Sequence, residues 1–325
     1  MALAAAVGAL ALLAVVPGAS GAVTAGRSVT PPRGLPVVTS FDVGQFPEGL
    51  AVDWFGNRYV SLTTFGATES DPGTGQLIRL SPNGRHVPVG PTFDVGFGIL
   101  TGVALDARGR LYVADASYQA STPPGVWRIE RDGSATRVLT LTDDSFPNGL
   151  AFRGGDLYVS DSLLGVIWKV GTDGSASIWV TSPQLLPEES FGANGIAFWH
   201  GSLYIAVTDA GRIVRVPVGA NGAAGTPVVI AERPELKGAD GIAFDLRGDL
   251  YIATSSANTL LRLAPDGTLV QLASENDGLL YPTTPAFGGL LARPTTLYVA
   301  NGDLNGIGTP NIVALNTGHI GLPLP

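Results

Sequence analysis

Short apolar runs alternate with turns along the chain, and no helical period is sustained over the length of a helix. One phrase recurs. Glu48-Gly-Leu-Ala-Val-Asp53 returns as Thr101-Gly-Val-Ala-Leu-Asp106, Asn148-Gly-Leu-Ala-Phe-Arg153, Asn194-Gly-Ile-Ala-Phe-Trp199 and Asp240-Gly-Ile-Ala-Phe-Asp245. A looser sixth copy stands at Thr283-Thr-Pro-Ala-Phe287. The copies start 53, 47, 46, 46 and 43 residues apart. Each leads through a turn to a second apolar run, at 57–62, 110–115, 156–161, 202–207, 249–254 and 296–301, most of them variants of Leu-Tyr-Val-Ala. A third run follows, and turns such as Asp132-Gly133, Asp173-Gly174 and Asp266-Gly267 lead to a fourth. Asp-Gly between apolar runs is a strong hairpin signal. Six units of four strands predict an all-β, six-bladed β-propeller. A blade cannot bury both faces alone, so blades stack around an axis and share a core. Residues 36–41 stand before Glu48 as the fourth strand 136–141 stands before Asn148, yet no blade precedes them. They are expected to pair with 311–315, complete the last blade and close the ring.

The N-terminus lies outside this pattern. Residues 3–16 form an apolar run of signal-peptide length, too short to span a bilayer comfortably, and small residues follow it. We read 1–22 as a secretion signal without a basic n-region, 23–34 as a flexible lead-in, and 35–325 as one propeller domain, secreted and with no membrane span in the mature protein. The 44 Gly and 24 Pro suit a helix-poor fold. A net charge of −8 disfavours nucleic acid and anionic membrane as partners. The absence of cysteine excludes a disulfide framework, a thiol nucleophile and a thiolate metal site.

In a propeller the first strand of each blade lines the central channel. The residues opening these strands are Glu48, Thr101, Asn148, Asn194, Asp240 and Thr283 or Thr284, and five are followed by glycine, which suits backbones crowding an axis. Two carboxylates and two amides, with no His or Cys, fit a hard cation, Ca²⁺ best. Taken singly, Asn and Asp at such positions also cap turns.

These motifs (Phe-Pro-Glu-Gly, Phe-Pro-Asn-Gly, Ala-Asn-Gly and Ala-Asp-Gly at Glu48, Asn148, Asn194 and Asp240) resemble the six-bladed calcium-dependent propellers: gluconolactonase and regucalcin, diisopropyl fluorophosphatase, and paraoxonase. The resemblance implies one Ca²⁺ held by Glu48, Asn148, Asn194 and Asp240, with Asp240, and less so Glu48, as nucleophile or general base. It implies a hydrolase of the lactonase or esterase kind, acting on a carbonyl or phosphoryl substrate. No histidine dyad is expected: His200 lies at the opposite mouth, His86 on an outer strand and His319 in a tail without an assigned role.

The mouth above the ring is expected to draw substrate-binding residues from the loops before the first strands and after the second. These are Phe97, Phe146 and Tyr281, the ring residue Thr101, and Asp115, Tyr118, Asp161, Asp209 and Ser255. An apolar rim points to a small apolar ester or lactone. Two alternatives stay open at this point. Gly-Leu-Ala-Val-Asp is also typical of NHL-repeat propellers that bind partners without catalysis, and strictosidine synthase-like propellers keep the fold without the metal.

Overall fold

The computed structural model describes residues 34–322, apart from positions 69 and 305; the segment read as a signal and all but the end of the lead-in lie outside the described residues. Among the described residues, twenty-four strands form six antiparallel sheets of four, all-β apart from three short 3-10 turns at Pro183–Leu185, Pro234–Leu236 and Glu275–Asp277. Among the described residues no helix is long and apolar enough to cross a membrane. The blades occupy 45–96, 99–140, 147–181, 193–232, 239–273 and 282–316. Val37–Ser40 pairs antiparallel with Asn311–Asn316, so the sixth blade is finished by the N-terminal strand and the ring is closed as expected. Closure ties the N-terminal strand into the last blade, so the ring cannot open between the first and sixth blades without breaking that pairing.

The recurring tyrosine of the second strand explains how blades adhere. Tyr112, Tyr158, Tyr204 and Tyr251 each meet the aromatic ring near the end of the next blade's first strand, Phe152, Phe198, Phe244 and Phe287. The centroids are 4.8, 4.9, 4.8 and 5.1 Å apart, all edge-on. Each such pair is worth about 0.5–1.5 kcal/mol beyond the area it buries. At the two remaining junctions the corresponding first-strand residues are Val52 and Leu105, both buried, and Arg58 lies 5.1 Å over the Tyr298 ring.

All six first strands bulge at one place. Their pairing with the second strand shifts register between Pro47 and Leu50, Leu100 and Val103, Pro147 and Leu150, Ala193 and Ile196, Ala239 and Ile242, and Pro282 and Pro285. The residues inside the bulges are the strand openers and their successors, so Thr283, not Thr284, is the sixth opener. A bulge leaves residues unpaired and re-aims side chains. Here the unpaired amides of Gly49 and Gly149 find second-strand hydroxyls, donating to Ser61 Oγ at 2.7 Å and Ser160 Oγ at 2.8 Å. Those hydroxyls in turn donate to the carbonyls of Thr101 and Asn194, in the next blade. Glycine is required after the openers of blades 2 and 4 because a Cβ on Gly102 or Gly195 would run into the carbonyl oxygen of Asn148 or Asp240.

Candidate metal centre

The openers form a partition across the channel. Glu48, Asn148, Asn194 and Asp240 line the floor of a cavity of about 180 Å³ at one mouth, which we call the near mouth. Asn148, Asn194 and Asp240 also border a larger cavity of about 320 Å³ on the other side, the far mouth. All four openers are buried, between 4% and 8% exposed. Thr101 and Thr283 are fully buried too, but their hydroxyls are spent on main chain: Thr101 Oγ1 donates to the Pro147 carbonyl at 2.7 Å and Thr283 Oγ1 to the Glu48 carbonyl at 2.8 Å.

The two amides are aimed by hydroxyls. Asn148 Nδ2 donates to Ser162 Oγ at 3.2 Å, and Ser162 donates to the Ala193 carbonyl at 2.8 Å. Asn194 Nδ2 donates to Thr208 Oγ1 at 3.0 Å, and Thr208 donates to the Ala239 carbonyl at 2.9 Å. Each hydroxyl thus engages the NH₂ end of its amide and leaves the oxygen end for other partners. Asn194 Oδ1 and Glu48 Oε2 are buried without any hydrogen-bond partner. An orphaned buried acceptor costs about 1–3 kcal/mol.

Electrostatics point the same way. Burial pushes the Glu48 carboxyl well above the ordinary carboxylate range, and the charge of Asp240 raises it further. Burial also raises Asp240, against a smaller opposing pull from the Asn194 amide. Two converging carboxylates and two oriented amides, among them the two orphaned oxygens, form a hard, all-oxygen donor set of formal charge −2, which fits one divalent cation of the Ca²⁺ type.

A second ring sits just above the first, two residues before each opener: Phe46, Ile99, Phe146, Gly192, Gly238 and Tyr281. Aromatic and aliphatic side chains wall the near cavity over blades 1, 2, 3 and 6; at blades 4 and 5 glycine lets neighbouring loops pack close, since a Cβ on Gly192 would meet the Leu185 carbonyl and one on Gly238 the Ser256 hydroxyl. Thr208, Asp209, Lys237, Ser255 and Ser256 border that side. Asp209 Oδ2 accepts the amides of Glu189, Ser190 and Phe191 at 2.8, 2.6 and 2.8 Å, which fixes the loop edging the cavity. Tyr281 holds a left-handed backbone, φ 51°, pinned by its amide donating to Asn258 Oδ1 at 2.7 Å. Its phenol is raised by burial and by the charges of Asp240 and Glu48, and Ser255 pulls it back.

Of the nine residues expected to face substrate, Phe146, Asp209, Ser255 and Tyr281 line this cavity, whereas Thr101, Asp115, Tyr118, Asp161 and Phe97 are not among its lining. Asp115 and Asp161 are fully buried blade pins: they accept the indole N–H of Trp127 at 2.9 Å and of Trp168 at 3.2 Å from the neighbouring third strand. Burial lifts Asp115 to about 6, with Trp127 and Arg137 opposing. Tyr118 packs with Phe46, Ile99 and Phe146 in an apolar cluster, and the Phe97 amide donates to its carbonyl at 2.8 Å. Lys237, Glu189 and Ser256 were missed; Lys237 carried a signal, being one of two lysines in the chain and three residues before Asp240.

The far mouth holds another cluster, Asp245, Asp249 and His319, whose donor atoms lie within 4.8 Å of one another. His319 is therefore engaged, contrary to its reading as a tail residue without a role. Its Nδ1 stands 2.9 Å from Asp245 Oδ2, and Arg247 Nη1 donates to its Nε2 at 3.1 Å. In blades 1 and 2 the turn aspartates Asp53 and Asp106 receive Asn57 Nδ2 and Arg110 Nε at that oxygen. Blade 5 has Asp249 in the corresponding place, which cannot donate, and the tail supplies His319 instead.

Comparison with known proteins agrees with this architecture. A profile of the family described as SMP-30/gluconolactonase/LRE-like region matches residues 179–302. No curated protein matches the chain. Among solved structures, a luciferin-regenerating enzyme superposes with a TM-score of 0.63 at 15% identity, covering 86% of this chain and 94% of its own. The calcium-binding protein regucalcin from Agrobacterium tumefaciens gives 0.62 at 18%, covering 90% and 96%. Virginiamycin B lyase from Staphylococcus aureus gives 0.59 at 15%, covering 88% and 87%. In sequence over residues 179–302, and in fold around the whole ring, the chain resembles the SMP-30/gluconolactonase/LRE-like propellers.

Proposed function

We propose that the chain is a secreted, Ca²⁺-dependent hydrolase of small lactones or esters, acting at the near mouth. The observation that carries this reading is the pair of orphaned buried oxygens, Glu48 Oε2 and Asn194 Oδ1, beside Asp240 on the floor of a cavity with an aromatic wall. Glu48, Asn148, Asn194 and Asp240 would hold the cation. When bound, it supplies a positive charge that polarises a carbonyl or phosphoryl oxygen and acidifies water. The aromatic wall of Phe46, Phe146 and Tyr281 orients the apolar part of the substrate and excludes water from that side. Asp240 is the more exposed of the two carboxylates, 8% against 4%, and borders both cavities, so it is the carboxylate with access to a reacting atom, as nucleophile or as base. Glu48, the more deeply buried of the two, serves mainly as a ligand. The similarity to the gluconolactonase-type profile and the calcium-binding neighbour support this reading. The test is turnover of a panel of lactones and aryl esters in calcium and in EGTA. Hydrolysis that disappears in EGTA and returns with calcium is expected; undiminished turnover in chelator would favour a metal-free propeller enzyme instead.

A further inference from the structure

The turns of blades 5, 6 and 1 at the far mouth place large apolar side chains in solvent. Phe55 is 68% exposed, Leu291 71%, Leu246 50%, Trp54 48% and Ile320 42%. They form one surface: the Leu291 amide donates to the Trp54 carbonyl at 3.0 Å, and the Leu246 amide to the Ile320 carbonyl at 2.9 Å. The tail joins the two parts, since the Gly321 amide donates to the Pro294 carbonyl at 2.9 Å. Single exposed apolar residues need no explanation, but a contiguous set held rigidly by main-chain hydrogen bonds marks an interaction site.

We infer that this far-face sector is a docking surface for an anionic lipid bilayer. The charges around the patch select that occupant. Arg247 and Arg293 stand exposed within it and Arg85 on the outer turn of blade 1. The carboxylates of the sector are turned inward. Asp53 accepts the amides of Phe55 and Asn57, Asp245 is fully buried against His319, and Asp249 is buried near Arg262. Exposed Asp132 and Asp173 belong to the outer turns of blades 2 and 3, across the ring; Asp266, on blade 5, is the exposed acid at the sector's outer rim. The overall charge of −8 is an average that this sector does not share. Tryptophan, phenylalanine and leucine at turn tips suit insertion at headgroup depth, and arginines beside them suit anionic headgroups. A molecule docked this way would hold the near mouth toward bulk water.

Flotation of the full chain with vesicles of phosphatidylcholine alone and of phosphatidylcholine mixed with phosphatidylglycerol tests the inference. Binding to mixed vesicles, weakened by salt, is expected. The double variant Phe55→Ser/Leu291→Ser should abolish it, and Arg293→Gln should weaken it by about fivefold. An unchanged circular dichroism melt establishes that the variants are folded. No flotation, or flotation indifferent to phosphatidylglycerol and to the variants, overturns the inference. So does a concentration-dependent dimer in sedimentation that the double variant dissolves, which would make a second copy the occupant.

Discussion

The near and far sides of the hub are made by the same six strands a few residues apart, yet they differ in kind. On the near side the openers divide into two hydroxyls locked onto main chain and four amides or carboxylates that face the cavity. On the far side, three residues after each opener, all six blades carry alanine: Ala51, Ala104, Ala151, Ala197, Ala243 and Ala286. The far cavity is larger, about 320 against 180 Å³, but below the openers its wall is mostly alanine, leucine and phenylalanine, and its one carboxylate, Asp53, already accepts from the amides of Phe55 and Asn57 and from Asn57 Nδ2. Volume therefore does not single out the candidate site; the two unmet oxygens among the openers, Glu48 Oε2 and Asn194 Oδ1, do. The difference arises at the bulge, which frees two residues per blade from the ladder on the near side, while the regular ladder beyond it packs the strands closely and admits only small side chains.

The sharpest way to break this contrast is at Asp240. Asp240→Ala should lower kcat/KM by about 10²–10⁴-fold and remove any calcium-dependent rise in melting temperature. A variant that keeps both properties would place the chemistry elsewhere.

Removing calcium should come next in size. At a hundredfold excess over Kd, a bound ion adds about 2.7 kcal/mol, and at this chain length each kcal/mol moves Tm by about 1.5 °C. The effect carries a pH signature. Glu48 and Asp240 have folded-state pKa values raised above the ordinary values of about 4. A raised acid contributes stability while it is protonated and loses it as pH rises through the folded-state pKa. In chelator, Tm should therefore fall as pH climbs from about 4 toward neutrality and beyond, whereas in calcium it should hold. Equal pH profiles with and without calcium would contradict the site.

A subtler change sits one step behind the ligands. Thr208→Val removes the acceptor for Asn194 Nδ2 and the donor to the Ala239 carbonyl, and should weaken calcium binding by about 10–100-fold in calorimetry, with a smaller loss of stability. The smallest effect belongs to the far side. Phe152→Leu gives up the edge-on contact with Tyr112, costs about 0.5–1.5 kcal/mol in a denaturant melt, and should leave calcium affinity unchanged.

Much of this was legible in the sequence. Six copies of the opener phrase gave the blade count, and the position of 36–41 relative to Glu48 gave the closing strand that pairs with Asn311–Asn316. The four candidate ligands were legible because each opens its strand. The substrate-facing residues were legible less well. Asp115 and Asp161 occupy the same place in their blades and look like mouth residues in one dimension, but a buried indole N–H from the next strand claims each of them. Thr101 looks like a free ring member until its hydroxyl is seen to cap the Pro147 carbonyl.

By itself the sequence determined what repeats: strand number, ring closure, and the chemical type of each residue offered to the hub, because these follow from periodicity and local turn chemistry. Tertiary structure alone decided which offered groups remain unspent. Hydrogen-bond partners here come from residues dozens of positions away, as Thr208 does for Ala239 and His319 for Asp245. Whether a polar atom is satisfied depends on neighbours that no local pattern names.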